Sequence, residues 1–399
     1  MNHQSKHMEA YLSSKCENLR QKLKYLFLGI LLSYVAFVLS FTDPKMISDK
    51  TTSFKYATDM VQKESIRKDN LGQKQNQSID QKSVLTNLHI EKPFHTYSIW
   101  NGDFPCYEKN NDLKNHKGIL YVKLYKAASS TLSGVAMQMA ERHKLQNMTG
   151  KEMCNVHAHH SSAREKEFFK RIKDKSFLWT FVRDPKKRAV SSYFFFKVTL
   201  QNQNPTGPSM LEFLRTQNDF QTNYLRTLGE SDYDKTKNAN QTAVALLKEY
   251  DFVGLVEFLD ESLVVMRLLL GLDAKDILYL PAKQMGTYAV KSPTECRHIY
   301  KQFTTPEVDR YLESDEWTQE NELDYALWST AKRTLQATIL SIGKEKFEKA
   351  LKEHKQLLAR VQSKCIDEHT YPCSEEGERQ KGKCYWNDIG CGHECIDGL

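Results

Sequence analysis

Residues 118–132, GILYVKLYKAASSTL, restrict the fold of this chain more than any other stretch. An apolar run (Ile119, Leu120, Tyr121, Val122) ends at Lys123, and a short loop carries Lys126, Ser129, Ser130 and Thr131. Beyond it, Leu132, Val135, Ala136, Met139 and Ala140 recur at helical spacing. The pattern predicts a strand over about 118–125 and a helix over about 131–145, joined by small residues. Such a junction is an anion cradle. First-turn N–H groups lack intrahelical partners, and the helix dipole adds partial positive charge there. Small side chains at 127–130 let an anion reach the backbone, the hydroxyls can donate, and Lys126 brings a full charge. The plain alternative is an ordinary strand–turn–helix with polar turn residues. A nucleotide-triphosphate loop needs G-x-x-x-x-G-K-[ST]. Here no glycine stands between Lys123 and Thr131 and the lysine comes first, which argues against ATP or GTP.

A second junction has the same form. SFLWTFVRDP (176–185) reads as a buried strand ending in a charged loop, and KKRAVSSYFFFKV as the helix that the loop opens. Arg183 stands at the strand end, 57 residues after Lys126, and Ser191 follows it by eight residues. A dianionic phosphate suits a guanidinium fork and a hydroxyl, because arginine gives planar bidentate bonds where lysine cannot. A salt-bridged strand exit at Arg183-Asp184-Pro185 is the plain alternative. Helical patterning returns at 209–228 and 241–249. Residues 249–272 then predict a strand over 252–257, a turn with Asp260 as N-cap, and an apolar-faced helix. A long charged helical segment, roughly 316–363, closes the series. Strands alternating with helices imply an α/β domain whose parallel sheet is covered on both faces.

With 399 residues there is room for one domain of about 230 to 260 residues plus appendages. The formal charge of +7 is mild and not concentrated as in a nucleic-acid binder, so no nucleic-acid partner is expected; it suits anionic ligands or plain solubility. Residues 25–41, YLFLGILLSYVAFVLSF, are uncharged and predict one transmembrane signal anchor. Lys and Arg before it, through Lys24, keep residues 1–24 cytosolic and send the rest into the lumen. The alternative, a cleaved signal peptide, has only a poor cleavage site in VLSFTDP. Residues 42–91 read as a flexible stem, 92–363 as the lumenal domain and 364–399 as a disulfide-rich extension. Eight cysteines follow the span, an even set in a compartment that permits disulfides. Five of them, Cys365, Cys373, Cys384, Cys391 and Cys395, lie in the tail, so at least one partner is sought at Cys106, Cys154, Cys296 or another chain. Zinc is the alternative there, but no C-x2-C pair occurs, and no metal is assigned. Asn76, Asn147 and Asn240 open N-x-[ST] sequons.

LYKAASSTL resembles the K-T-A-S-S-T loop of the Golgi galactose 3-O- and heparan sulfate 2-O-sulfotransferases, which use 3'-phosphoadenosine-5'-phosphosulfate (PAPS). FVRDPKKRAVS resembles the same enzymes' R-D-P-x-x-R-x-x-S element. NDFQTNYL (218–225) and Asp251–Glu257 are similar to their Q-T-x-Y/F-L and D-F-V-G-L-x-E segments, with cofactor and acceptor walls as the implied role. The resemblance spans about 118–272 and implies a P-loop-NTPase-like three-layer domain with a central parallel sheet. It also implies PAPS as donor, held at one end by Lys126, Ala127, Ala128, Ser129, Ser130 and Thr131 and at the other by Arg183 and Ser191. The acceptor would be a glycan on a glycoprotein, glycolipid or proteoglycan, the location the Golgi membrane in single-pass type II topology, and an oligomer is allowed. Relatives carry an H-x-H or H-H element between the two donor loops that supplies a base. Here His157-Ala158-His159-His160 matches both forms; His159 is the shared position, with His157 and His160 in reserve. The rival enzyme class is a type II Golgi glycosyltransferase using a sugar nucleotide and a metal held by Asp232-Tyr233-Asp234, a triplet that otherwise reads as a polar surface loop.

Overall fold

A computed structural model describes residues 93–94, 116–147, 160–164, 166–227, 238–292, 294–366, 373–374, 376–380 and 392–399, all within the compact unit Leu85–Leu399. The apolar runs form the sheet. Strand β1 (His116–Tyr121) pairs in parallel with β2 (Arg171–Val182), and β2 pairs in parallel with β3 (Phe252–Leu255). Leu120 stands opposite Leu178, and Trp179 opposite Phe252. Ile119–Val122, Phe177–Val182 and Phe252–Leu255 are buried almost without a break, the continuous pattern of a parallel sheet rather than the alternation of a half-exposed one. Tyr121 stacks on Trp179 with centroids 4.3 Å apart. At Gly254 a Cβ would come within 2.4 Å of the Phe181 ring, so only glycine lets β3 approach β2 at this point.

Helix α1 (Ser129–Asn147) follows β1 and packs on it; α2 (Pro185–Tyr193) follows β2 and widens into a π-helical stretch, Phe194–Leu200. Asp184 caps α2, its carboxylate accepting from the Lys187 amide at 3.0 Å, and Pro185 stands in the first turn where its missing N–H costs nothing. The patterning at 209–228 resolves into two short helices, α3 (Gly207–Leu214) and α4 (Phe220–Leu225), with α5 (Ala239–Leu247) next. Helix α6 (Leu259–Leu270) packs on β3. Asp260 does not cap it: the helix begins one residue earlier, and the carboxylate instead accepts from the Tyr279 hydroxyl at 2.9 Å and lies 3.3 Å from His354 Nε2. A hairpin of β4 (Tyr288–Ser292) and β5 (Glu295–His298) stands apart from the main sheet. After α7 (Pro306–Leu312), the expected long helix is three: α8 (Asp315–Glu320), α9 (Glu322–Ile342) and α10 (Lys344–Lys364), with Gly343 at φ +100° between the last two. The tail ends in α11 (His393–Gly398).

Among the described residues two disulfides fasten the tail: Cys365 to Cys395, and Cys373 to Cys296 on β5. The tail's odd cysteine count thus finds one outside partner at Cys296. Helix α11 also docks on α1, where Arg142 meets both Asp397 (2.5 Å) and the buried Asp276 (2.6 Å). Among the described residues no helix is long and apolar enough to cross a membrane; the run at 25–41 and the stem lie outside them.

Candidate active site

The two strand exits meet. β1 leaves the sheet at Val122, whose carbonyl accepts from the Thr180 hydroxyl of β2 at 2.9 Å, and turns through Lys126 and Ala128. Both take left-handed backbone (φ 62° and 54°), which costs a non-glycine residue about 1–2 kcal/mol. Such strain persists only where surroundings impose it, and it gathers at ligand sites. The Arg183 guanidinium donates to the Lys126 carbonyl at 3.1 Å and so ties the second exit to the first.

A cavity of about 250 Å³ opens at this junction. Lys126, Ala128, Ser129 and Ser130 line it from the first exit, and Arg183, Ser191, Phe194 and Phe195 from the second. The remaining wall comes from the feet of the β4–β5 hairpin: Ala282, Lys283 and Met285 before it, Ile299, Tyr300 and Gln302 after it. Three cations face the space and no carboxylate does among the lining residues. Burial first, then the charges of Lys283 and Arg183, bring the Lys126 ammonium down to about 7. Arg183 is also lowered by burial, against the pull of Glu257 and Asp184. The Ser191 hydroxyl accepts from the Gln302 amide at 3.3 Å.

Not every expected residue faces the cavity. Ala127 is fully buried in the core, and the Thr131 hydroxyl accepts from the Ala282 amide at 3.2 Å, holding the hairpin foot rather than opening to the space. His157, His159, Asp232 and Asp234 lie outside the described residues. His160 is described: its Nδ1 is 2.9 Å from the Lys123 carbonyl, and its ring stacks on Tyr125 at 4.0 Å. A carbonyl can only accept, so Nδ1 carries the proton and Nε2 is the basic nitrogen of the neutral ring. His160 is not among the lining residues; Tyr125 meets Phe196 edge-on, beside Phe195 in the cavity wall.

The 218–225 and 251–257 segments contribute no lining residue to this cavity, and several of their side chains act behind it. The fully buried Gln221 side chain accepts from the Arg183 amide at 2.9 Å and donates to the Arg183 carbonyl at 2.8 Å. Glu257 accepts from the Asp184 amide at 3.1 Å and from the Trp328 indole at 3.1 Å. Asp324, whose carboxyl burial pushes up, accepts from the Gln221 and Thr222 amides at the start of α4. Arg188, the second arginine of the R-D-P-x-x-R element, is buried. It donates to Ser192 (3.1 Å) and Gln217 (2.8 Å), lies 4.3 Å from the Phe220 centroid, and is brought down to about 10 by burial. The chain therefore builds a rigid frame around the Arg183–Asp184 turn and leaves the Arg183 side chain to the cavity. Lys283, Tyr300 and Gln302 were not legible in the sequence; the left-handed backbone at Lys283 (φ 54°) marks it only once the structure is known.

Among the described residues no group of three or more His, Cys, Asp or Glu side chains is arranged to hold a metal. Residues 110–314, more than half of the chain, match the model of the sulfotransferase family. The galactosylceramide sulfotransferase of Mus musculus is 22% identical over 288 residues, covering 63% of this chain and 64% of that protein. The Homo sapiens galactosylceramide sulfotransferase is 25% identical over 200 residues, covering 41% of this chain and 47% of that protein. The chain thus spans less than two thirds of the length of these curated relatives.

Proposed function

From the premise that this chain belongs to the sulfotransferase family, we propose that it moves the sulfuryl group of PAPS onto a hydroxyl of a glycan, with a glycolipid as the acceptor class. The observation that carries this reading is the convergence of two strand exits on one cation-lined cavity with no carboxylate among its described lining residues. A dianion with a second phosphate fits such a lining, because three cationic side chains there offer it charge-assisted contacts. The relatives named for galactosylceramide support the glycolipid choice over other glycans.

Bound PAPS supplies an already activated sulfuryl group. The chain's own residues then hold, orient and move one proton. Lys126, the Ser129 and Ser130 hydroxyls and the first-turn amides of α1 hold the phosphosulfate end, and Lys126 stabilises charge on the oxygen that leaves. Arg183 and Ser191 hold the 3'-phosphate, with Gln221 fixing the arginine's main chain. His159 accepts the proton of the acceptor hydroxyl; His160, with Nε2 basic, and His157 are the reserves. The same reading assigns a P-loop-NTPase-like three-layer domain at 92–363, a cytosolic tail at 1–24, a Golgi signal anchor at 25–41, a stem at 42–91 and a disulfide-rich extension at 364–399.

The test is transfer of labelled sulfate from PAPS to a panel of desulfated glycans, glycolipids included. Lys126→Ala and Arg183→Ala should each abolish transfer, and His159→Ala should abolish turnover while the desulfated nucleotide still binds. Unchanged transfer in both donor-site variants would end the assignment, and activity that requires manganese and a sugar nucleotide would replace it with a glycosyltransferase.

A further inference from the structure

We propose that Lys283, on the near foot of the β4–β5 hairpin, is a second anion-binding cation paired with Lys126. The inference rests on the donor reading above and adds a residue that lies outside every motif of the sequence.

Position is the first argument. Both ammonium groups stand over one ring, Lys126 Nζ at 3.9 Å and Lys283 Nζ at 5.3 Å from the Phe195 centroid. The two charges therefore sit within one Debye length, about 10 Å at 0.1 M salt, in a partly buried space where screening is weaker still. Backbone strain is the second. Of the five described non-glycine residues with positive φ, three line this one cavity: Lys126, Ala128 and Lys283. Holding two lysines in left-handed backbone so that they converge works against both conformational and Coulombic preference, which a bound anion offsets.

Burial disfavours the charge of Lys126 most, and Lys283 from the hairpin foot and Arg183 from the β2 exit add to it. The carboxylates of Glu257 and Asp184 act on Arg183. Without a ligand, Lys126 is thus partly neutral near pH 7, and an anion between the lysines restores its proton. Arriving at the phosphosulfate end, that anion meets two cations rather than one.

Two measurements on the full chain test this. The first needs no nucleotide: the pH dependence of Lys126 acylation, followed by peptide mass spectrometry, in wild type and Lys283→Gln. Wild type should show a midpoint near 7, and the variant a clearly higher one; an unmoved midpoint overturns the inference. The second is calorimetry at pH 7 in two buffers of different ionisation enthalpy, with adenosine 3',5'-bisphosphate and with inorganic pyrophosphate as probes. Wild type should take up a fraction of a proton on binding. Lys283→Gln should bind each probe about 10- to 100-fold more weakly, the loss of one charge-assisted contact, and with less uptake; Lys283→Arg should restore affinity. Equal affinity and uptake in Lys283→Gln overturns the inference. Failure of the nucleotide alone, with pyrophosphate still dependent on Lys283, overturns the donor assignment and supports the paired lysines.

Discussion

A lysine held as an incompletely compensated cation should cost the fold stability that an apolar replacement returns. Lys126→Met keeps the side-chain length and removes the charge. A fall from the ordinary 10.5 to about 7 corresponds to a ceiling of roughly 5 kcal/mol in the folded state, at about 1.36 kcal/mol per pH unit. The side chain keeps some contact with solvent through the cavity, so about half of that is the expected gain. The sign fixes the pH window. Below pH 7 the wild-type ammonium is charged in both states and the full cost is present. Between pH 7 and about 10.5 the unfolded chain binds the extra proton, so wild-type stability rises with pH and the variant's advantage fades. Thermal unfolding in chloride buffers, free of sulfate and phosphate, should show Lys126→Met melting about 5–10 °C above wild type at pH 6. The difference should be much smaller at pH 9, and sulfate transfer should be absent. A variant no more stable than wild type at pH 6, or a gain that does not change with pH, would refute the electrostatic account of this site.

Gln221→Leu removes both side-chain bonds to the Arg183 main chain at about 2–3 kcal/mol of stability; steady-state kinetics should show a higher KM for PAPS with a smaller change in kcat. Arg188→Met leaves Ser192 and Gln217 without their buried donor, and urea unfolding should register a loss of about 1–3 kcal/mol. Replacing both Cys296 and Cys373 by Ala opens a 77-residue loop; chemical denaturation should show a loss of up to about 4 kcal/mol, and KM for PAPS should rise because the hairpin feet line the cavity. Unaltered KM in that variant would show that the feet hold their place without the bridge.

The two junctions were legible because each states itself locally: an apolar run, a turn with its charge, and a helical period within some 25 residues. The second helix begins at Pro185, one residue before the predicted KKRAVSSYFFFKV run. What stayed hidden depends on partners distant in the chain. Gln221 reads as one polar residue in a short helix, and only the fold brings its amide to both sides of the Arg183 peptide, 38 residues away. Lys283 and Gln302 are ordinary polar residues until the hairpin turns them toward the lysine loop. Asp260 illustrates the opposite failure: an acidic residue near a helix start reads as a cap, but its pull toward Tyr279 and His354 outweighs the amides of its own helix. The parity of the tail cysteines required an outside partner, and pairing within the fold supplied Cys296.

The hairpin's fastening sets an order of events in the life of the molecule. Among the described residues its strands belong to no larger sheet, and a bond between residues 296 and 373 links it to the C-terminal segment, so the far side of the pocket is fastened only after residue 373 has been made. A polypeptide kept where thiols stay reduced would hold its lysine and arginine turns correctly and still lack a firm wall opposite them. Under the donor reading proposed above, full readiness of this pocket is then expected of the oxidised molecule.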